Sequence, residues 1–328
     1  MTVTLLGGDR IRLMDDSDDT RSRRSRVAGS GGNGSFRRIG VVSTGFAVRP
    51  ESLDAGLAAM RRLGLTPVEG SAVRSRAGYL AGSDAARAAD LQAVLDDPAI
   101  DAVWFSRGGY GTARLLDRID LRPFVRRPKP LLGYSDLTAL FSAVLRRTRT
   151  VCFHAPMVAE LGRKGAYHAP SLKAMLAGRE IGRAVGARDV LAPGRASGRL
   201  LGGNLTVLSH LLGTPEEPRL DGAILFLEET GEEAYRVDRL LDHLRRAGAL
   251  SRVAGVLVGQ LFVPRTARAF PPDRPVHDVL RDHLLPLGVP VVTGFPAGHG
   301  DGKWTLPIGG TASIDTGRRR VRFSPRPA

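Results

Sequence analysis

The chain has 328 residues, of which 42% are hydrophobic and 25% are charged. This composition is ordinary for a globular protein, and the length suits two domains. No apolar run approaches the roughly 20 residues that span a bilayer, and the N-terminus shows no secretory signal pattern. We therefore expect a cytoplasmic protein that does not contact membranes. The single cysteine, Cys152, excludes an internal disulfide and a cysteine-built metal site.

The formal net charge of +15 comes from 48 Lys and Arg residues against 33 Asp and Glu residues. Such an excess attracts anionic partners, nucleic acid among them. Many of the arginines, however, lie in RSRRSR at 21–26 and RRRVRFSPRPA at 318–328, outside any expected core. We therefore expect no specific nucleic-acid partner, only weak binding that disappears at physiological salt.

The N-terminal part of the chain predicts an extension followed by the start of a fold. Residues 1–37 are polar, rich in Gly and Ser and charged in blocks. Such a composition buries too little apolar surface to offset the entropy of ordering, so we expect disorder. The stretch RIGVVST, from Arg38, predicts a short buried strand. Two helices should follow, ESLDAGLAAMRRLG between Pro50 and Gly64, and SDAARAADLQAVLDD from Ser83.

Further strands and helices complete an N-terminal α/β domain, which we place at 38–160. The strand DAVWFSR runs into the glycine-rich turn at 108–111 and the helical stretch TARLLDRI. The strand KPLLGY is followed by Ser135 and another helix. Short apolar strands that alternate with helices predict a mostly parallel sheet with helices on both faces. Residues 161–194, with one possible helix, HAPSLKAMLAGREI, are expected to connect two domains.

The C-terminal domain is expected over 195–328, with a smaller mixed sheet and few helices. GRLLGGNLTVLSHLLG opens it, and the predicted strands DGAILFLEE and VAGVLVGQ flank the helix AYRVDRLLDHLRRAG. After the helix HDVLRDHLL and the loop PVVTGFPAGHG come a final pair of strands, TLPIGGTASID and RRRVRFS. We find no internal repeat in the sequence.

Four polar stretches lie where predicted strands end, which is where ligands bind in parallel α/β sheets. They are SRGGYG at 106–111, GYSD at 133–136, LEE at 227–229 and GHGDG at 298–302. Each is a weak signal alone, since a pair of glycines after a strand is usually only a tight turn. Together they predict a polar site at the edge of the sheet.

Ser135 lies on the hinge between a predicted strand and a predicted helix. A turn that tight exposes the hydroxyl and directs helix-terminal amides at the group it attacks, as in a nucleophile elbow. The stretch GYSDL lacks the second elbow glycine, however. The simpler explanation is that Ser135 or Asp136 caps the helix. The turn at 108–111 offers further backbone amides that could hold an oxyanion.

A serine nucleophile requires a base, and the base requires an orienting group. Among seven histidines, His299 is the best candidate, because the glycines on either side of it leave room for a substrate. His154, in CFHAP, lies near the serine in sequence but lacks an obvious carboxylate. Glu228 and Glu229 end a predicted buried strand, where an unpaired charge is costly. One of them could orient the imidazole, or both could lie on an exposed turn.

The other histidines predict no role in the site. We expect His168 in the connection between the domains. His210 and His243 should lie on or beneath helices, and His277 and His283 should face solvent.

The motifs occur in an order that is similar to that of LD-carboxypeptidases. GYSD is followed by GGNL at 202–205, by LEE with YRVDRLL at 235–241, and by GHGDGKWTLPIG at 298–309. Over residues 38–325 the chain resembles this family of serine peptidases, which includes murein tetrapeptide carboxypeptidases and microcin-immunity peptidases. The sequence departs from the expected pattern at Lys303, where we expect Asn, and at HAP (154–156), where we expect HGP. Both departures are expected to alter the rim of the pocket.

The resemblance implies the roles of the site residues. Ser135 would be the nucleophile, His299 the base and Glu228 its orienting carboxylate, with Glu229 as the less favoured alternative. The amide of Asp136, with one from Gly108 or Gly109, would form the oxyanion hole. For substrate binding we single out Arg107, which would hold the C-terminal carboxylate, and Tyr134. Such a site would form between the two domains.

The function implied is a metal-independent serine carboxypeptidase without a cofactor, expected to be a homodimer. It would release a C-terminal D-amino acid such as D-alanine from a murein peptide. An alternative within the family is an immunity peptidase that cuts a peptidyl-nucleotide or another toxic acyl-amidate. An alternative of another class is a non-catalytic protein that binds anionic ligands through its glycine-rich turns and basic surface.

The composition of the N-terminal extension predicts that residues 1–37 are dispensable. A chain that begins at Arg38 should remain soluble and keep its activity, because the deleted segment cannot contribute a packed core. Expression yield and turnover, measured beside the full chain, test this. Loss of soluble protein on deletion as far as Ser35 would contradict the prediction.

Overall fold

The computed structural model describes residues 36–148, 150–263 and 274–327, and residues 1–35 of the predicted extension lie outside them. The described strands are β1 (Arg38–Val42), β2 (Thr66–Glu69), β3 (Ala102–Phe105), β4 (Leu131–Gly133), β5 (Cys152–His154), β6 (Ile181–Ala184), β7 (Val190–Ala192), β8 (Arg195–Asn204), β9 (Ile224–Thr230), β10 (Gly255–Phe262), β11 (Val291–Val292), β12 (Leu306–Ile308), β13 (Gly310–Asp315) and β14 (Arg320–Pro327). The described α-helices are α1 (Pro50–Arg62), α2 (Asp84–Asp96), α3 (Arg122–Arg126), α4 (Thr138–Arg147), α5 (Val158–Leu161), α6 (Ala169–Leu176), α7 (Leu205–His210), α8 (Ala234–Arg246) and α9 (Val276–Leu284). Short 3₁₀ turns occupy Ala113–Arg118, Ser135–Leu137, Ala187–Asp189 and Leu285–Leu287.

The first sheet has six strands in the order β12-β5-β4-β3-β1-β2, all parallel except β12. The four residues of β3, AVWF, are all buried, as expected for a parallel strand that helices cover on both faces. The predicted α/β class is therefore confirmed. Strands β2 and β3 lie on opposite sides of β1, which makes the carboxyl ends of β1 and β3 the switch point where such sheets bind ligands.

Local sequence signals explain most of the helix boundaries in this half. Pro50 opens α1, and Gly64, with φ +78°, lies just beyond its end. Ser83 caps α2 by accepting a hydrogen bond from the Ala86 amide at 3.2 Å. The stretch TARLLDRI, predicted to be helical, forms only the 3₁₀ turn Ala113–Arg118, in which Leu115 alone is buried. One buried apolar residue gives a longer helix no face to pack.

The second sheet is mixed, as predicted, but the expectation that it is the smaller one is wrong. It has eight strands against six, in the order β6-β14-β13-β8-β9-β10-β11-β7. The segment 161–194, expected to be a connection, supplies both edge strands, β6 and β7, in addition to α6. These strands are four and three residues long, and β6 has no buried position. They therefore lack the apolar pattern by which a strand is recognised in sequence. The domain boundaries themselves stay a prediction.

The two sheets share one stretch of chain, TLPIGGTASID, which was expected to be a single strand of the second sheet. That expectation is wrong. β12 pairs antiparallel with β5 of the first sheet, and β13 continues between β8 and β14 of the second. The break falls at Gly309, which has φ +91°. A Cβ there would lie 2.4 Å from the Leu145 side chain, so only glycine fits.

Apolar packing also joins the two sheets. One buried cluster combines Phe105 and Phe141 of the first half with Phe226, Phe295 and Phe323 of the second. Such an interface fixes the relative orientation of the halves, because separating them would expose buried apolar surface. Among the described residues, no helix is both long and apolar enough to cross a bilayer.

His154 is part of this buried structure and not of a pocket rim, contrary to the expectation for HAP at 154–156. The residue ends β5 and is 2% exposed, and its ring lies 5.1 Å from those of both Tyr134 and Phe226. Neither ring nitrogen has a hydrogen-bond partner among the described residues. Burial, followed by the charges of His299 and Lys303, lowers the pKa of His154 to about 3.

The lowered pKa of His154 predicts a loss of stability in acid. Between about pH 6.5 and pH 3 the unfolded chain binds a proton here that the folded chain does not. The free energy of unfolding should therefore fall with decreasing pH, by at most about 1.4 kcal/mol per pH unit from this group. Urea unfolding of wild type and His154→Leu at several pH values measures the difference. Parallel pH profiles would contradict the prediction.

Candidate active site

Ser135 occupies a strained turn between β4 and α4. Its φ of +62° lies in the left-handed region, which residues other than glycine seldom adopt. The explanation that Ser135 or Asp136 caps the helix is wrong, because Leu137 precedes α4 and no side chain caps it. The carboxylate of Asp136 instead accepts a hydrogen bond from the Thr112 amide at 2.8 Å. Burial raises the pKa of Asp136, although the hydrogen bonds from Thr112 act in the other direction.

His299 brings the two halves into hydrogen-bond contact at this serine. Its Nε2 lies 3.1 Å from the Ser135 Oγ, and its Nδ1 lies 2.7 Å from an oxygen of Glu228. Glu228 is in β9 and fully buried, whereas the His299 side chain is 21% exposed. A hydroxyl, an imidazole and a carboxylate in series are the arrangement that activates a serine nucleophile.

Glu229 points to the other side of β9 and has different partners. Its carboxylate accepts hydrogen bonds from the Asn204 side chain at 3.0 Å and from the amides of Thr206 at 2.7 Å and Thr230 at 2.8 Å. Both glutamates are buried, at 0% and 3% exposure, so neither lies on an exposed turn. The GGNL motif, which carries Asn204, is thus explained by its contact with Glu229.

The glycine-rich turn after β3 lies against the serine. A Cβ on Gly108 would be 3.2 Å from the Ser135 Cβ and 3.4 Å from its Oγ. Gly109 has φ +107°, and a Cβ there would lie 2.3 Å from the Phe46 ring. The close approach of this backbone to Ser135 therefore depends on both glycines. Whether its amides hold an oxyanion stays a prediction.

A cleft of about 660 Å³ opens over Ser135 and His299, lined by residues of both halves. The exposed Arg107 lies on this cleft, where its guanidinium donates to the Ala47 carbonyl at 3.1 Å and lies 5.7 Å from the Phe46 ring centre. Arg107 makes no ion pair within the part of the chain that the structure describes. Tyr134 also lines the cleft, but it is 6% exposed and its hydroxyl donates to Glu160 at 3.0 Å.

Lys303 was expected at the rim of the pocket, and that expectation is wrong. The side chain is fully buried, and its Nζ contacts the Tyr134 hydroxyl at 3.1 Å and the Glu160 carboxylate. Sequence reasoning did not single out Glu160. The only available signal for Glu160 was Lys303 itself, which lies just before a strand. If such a lysine is buried, its charge requires a buried partner.

Among the described residues, no other histidine is hydrogen-bonded to Ser135, although His210 also lines the cleft. His283, expected in solvent, pairs with Asp238 at 2.6 Å and is 10% exposed. His168 precedes α6 as its N-cap and stacks on Trp304 with ring centres 4.5 Å apart. Within 36–148, 150–263 and 274–327, no cluster of three or more His, Cys, Asp or Glu side chains could hold a metal ion.

Comparison with known proteins matches both halves of the chain. The family description "LD-carboxypeptidase N-terminal domain" fits residues 39–155, and "LD-carboxypeptidase C-terminal domain" fits residues 197–314. The "probable murein peptide carboxypeptidase" of Bacillus subtilis is 34% identical over 288 residues, which are 86% of this chain and 89% of that protein.

Solved structures share the fold. The muramoyltetrapeptide carboxypeptidase of Oxalobacter formigenes has a TM-score of 0.79 at 28% identity, with coverage of 89% of this chain and all of the other. The microcin C7 self immunity protein, in its wild-type apo state, has a TM-score of 0.79 at 21% identity, with 89% and 96% covered. This second likeness is one of fold alone. From the family matches and the sequence relatives, the chain belongs to the LD-carboxypeptidase family of serine peptidases.

Proposed function

We propose that this protein is a serine carboxypeptidase that needs no metal, with Ser135, His299 and Glu228 as its catalytic triad. The observation that carries the proposal is the continuous series of hydrogen bonds, 3.1 Å and 2.7 Å long, from hydroxyl to imidazole to buried carboxylate. Family membership supports the same reaction class.

Each member of the series has a chemical task. As the Ser135 Oγ attacks the scissile carbonyl carbon, His299 Nε2 takes the hydroxyl proton. Glu228 holds the imidazole through Nδ1 and offsets the positive charge that forms on it. His299 then donates the proton to the leaving amine, and an acyl-enzyme ester remains on Ser135. Water, activated by the same imidazole, hydrolyses the ester and restores the serine.

The negative charge on the tetrahedral oxygen requires donors beside Ser135. We assign this task to the backbone amide of Asp136 together with that of Gly108 or Gly109. The approach of Gly108 to within contact distance of Ser135 supports the assignment. A donor of this kind stabilises the transition state by about 3–4 kcal/mol in comparable sites.

For the substrate we propose a murein peptide from which a C-terminal D-amino acid is released, with D-alanine as the expected product. The support is the murein peptide carboxypeptidase name of the Bacillus subtilis relative and the muramoyltetrapeptide carboxypeptidase name of the Oxalobacter formigenes structure. A cytoplasmic location and a homodimer, which the resemblance implies, stay predictions that fractionation and light scattering can test.

The triad predicts a specific hierarchy of losses in a murein tetrapeptide assay with chelator present. Ser135→Ala and His299→Ala should lower kcat by about 10⁴–10⁶, and Glu228→Gln by about 10⁴, without unfolding. The matched control is Glu229→Gln, which keeps size and removes the neighbouring charge. Activity lost in Glu229→Gln but kept in Glu228→Gln would contradict the glutamate assignment.

The same assay separates the three functions that the sequence leaves open. A microcin-like peptidyl-nucleotide, tested side by side with the tetrapeptide, identifies the immunity reaction if it alone is cleaved. Cleavage of neither substrate, with no difference between wild type and Ser135→Ala, would favour the non-catalytic binding protein.

Arg107 predicts how the C-terminal carboxylate is bound. If its guanidinium holds that carboxylate, Arg107→Ala should lower kcat/KM for the free acid about tenfold to a hundredfold more than for the C-terminal amide, because a charge-assisted hydrogen bond is lost. Arg49, an exposed arginine on the same cleft, is the control, and Arg49→Ala should affect both substrates equally. Equal losses on acid and amide in Arg107→Ala would contradict the role.

A further inference from the structure

We propose that Lys303 is a positioning residue, which aligns Ser135 and His299 through a buried cluster that it forms with Glu160 and Tyr134. The inference rests on the proposed function, since it takes Ser135 and His299 as the reacting pair. It concerns three residues to which the proposed mechanism assigns no step.

The cluster joins the two segments that carry the reacting groups. Lys303 lies four residues after His299 in the loop of the C-terminal half, and Tyr134 directly precedes Ser135. Glu160, in α5, accepts hydrogen bonds from both the Lys303 ammonium and the Tyr134 hydroxyl through one oxygen. The Lys303 Nζ also lies 3.1 Å from the Tyr134 hydroxyl and 4.6 Å from the centre of its ring.

From this cluster, contacts reach both reacting side chains. The Tyr134 ring packs edge-on against the His299 imidazole with centres 4.8 Å apart. The second oxygen of Glu160 accepts a hydrogen bond from the Met157 backbone amide at 2.8 Å. The Met157 side chain in turn lies next to Gly133, two residues before Ser135, and next to Gly108, which approaches Ser135. Displacement of Lys303 would therefore be transmitted to the imidazole and to the turn that carries the hydroxyl.

Stability alone does not account for a fully buried ammonium at this position. Removing a charge pair from water is costly, and apolar residues of similar volume are often as stable or more stable. An ion pair that shares a hydroxyl fixes geometry instead, since it holds the ammonium, the carboxylate and the hydroxyl at defined distances. A reaction whose groups are misplaced by 1 Å can slow by about a hundredfold.

A second ion pair, like that of Lys303 with Glu160, joins the region of α5 to the loop that carries His299, and it serves as a matched control. Arg163 and Asp301 lie 2.6 Å apart, but their side chains are 53% and 64% exposed. Exposed pairs of this kind contribute little to stability. A comparison of the two pairs separates a specific effect of Lys303 from a general effect of linking the segments.

The experiment compares three variants with wild type. They are the single variant Lys303→Met, the double variant Lys303→Met/Glu160→Gln, and the control double variant Arg163→Met/Asp301→Asn. Four quantities are measured for each: kcat and KM on a murein tetrapeptide, the rate at which a fluorophosphonate labels Ser135, and Tm. Labelling depends on the activation of the serine by His299 and does not depend on recognition of the peptide.

Lys303→Met should lower Tm, because a mostly buried carboxylate loses its cation. It should also lower kcat and the labelling rate together, by about tenfold to a hundredfold, with KM changed less than about threefold. The double variant at 303 and 160 should recover Tm, since the lone charge is gone, but neither kcat nor labelling. The control pair should leave all quantities near wild type.

Recovery of kcat and labelling along with Tm in the double variant would overturn the proposal, because Lys303 would then matter only for stability. An equal loss in the control pair would overturn it too. If wild type is labelled but cleaves no tetrapeptide, the proposed substrate is wrong, and the labelling rates still decide the role of Lys303. If wild type is not labelled at all, both proposals fail.

Discussion

The site depends on one contact between groups that belong to different sheets, the 3.1 Å approach of His299 Nε2 to Ser135 Oγ. The loop that carries His299 is tied to both sheets. The Gly300 amide donates to the Gln260 side chain at 2.8 Å, which ties the loop to β10, and a few residues later the chain enters the first sheet as β12. Because this one loop is anchored in both sheets, the imidazole cannot move with one half while the serine moves with the other.

Three buried charged groups lie along the same junction, and they have different environments. Glu229 is surrounded by three donors, and Lys303 is paired with Glu160. Glu228 differs, because only one of its oxygens contacts His299 and the other has no hydrogen-bond partner among the described residues. A carboxylate so poorly solvated is costly while the imidazole is neutral. The buried charge of Glu228 becomes favourable when the imidazole gains a proton, which is the change that general-base catalysis requires.

Sequence reasoning predicted those parts of the site that leave a local signal. Ser135, Glu228 and His299 are polar residues at the ends of apolar strands, and strand alternation explains why one glutamate of the pair contacts His299 and the other does not. Glu160 left no local signal, because its partner Lys303 is 143 residues away and α5 has only four residues. The crossing of β12 was missed for a similar reason. Only Gly309 stands between β12 and β13, and its close approach to Leu145 is a tertiary feature that a local sequence pattern does not show.

The backbone around the nucleophile shows why the two halves must be packed before the site can exist. A non-glycine residue at φ +62° is strained by about 1–3 kcal/mol and persists only where its surroundings hold it. Here the Asp136 carboxylate accepts a hydrogen bond from the Thr112 amide, which holds the turn. The backbone amide of Asn204, in the second half, donates to the hydroxyl of Thr138 at 3.0 Å, three residues after Ser135. Asn204 also contacts Glu229, the neighbour of Glu228. The contacts that hold the strained Ser135 are thus continuous with those that position Glu228. The nucleophile and the carboxylate that orients its base therefore form as one unit.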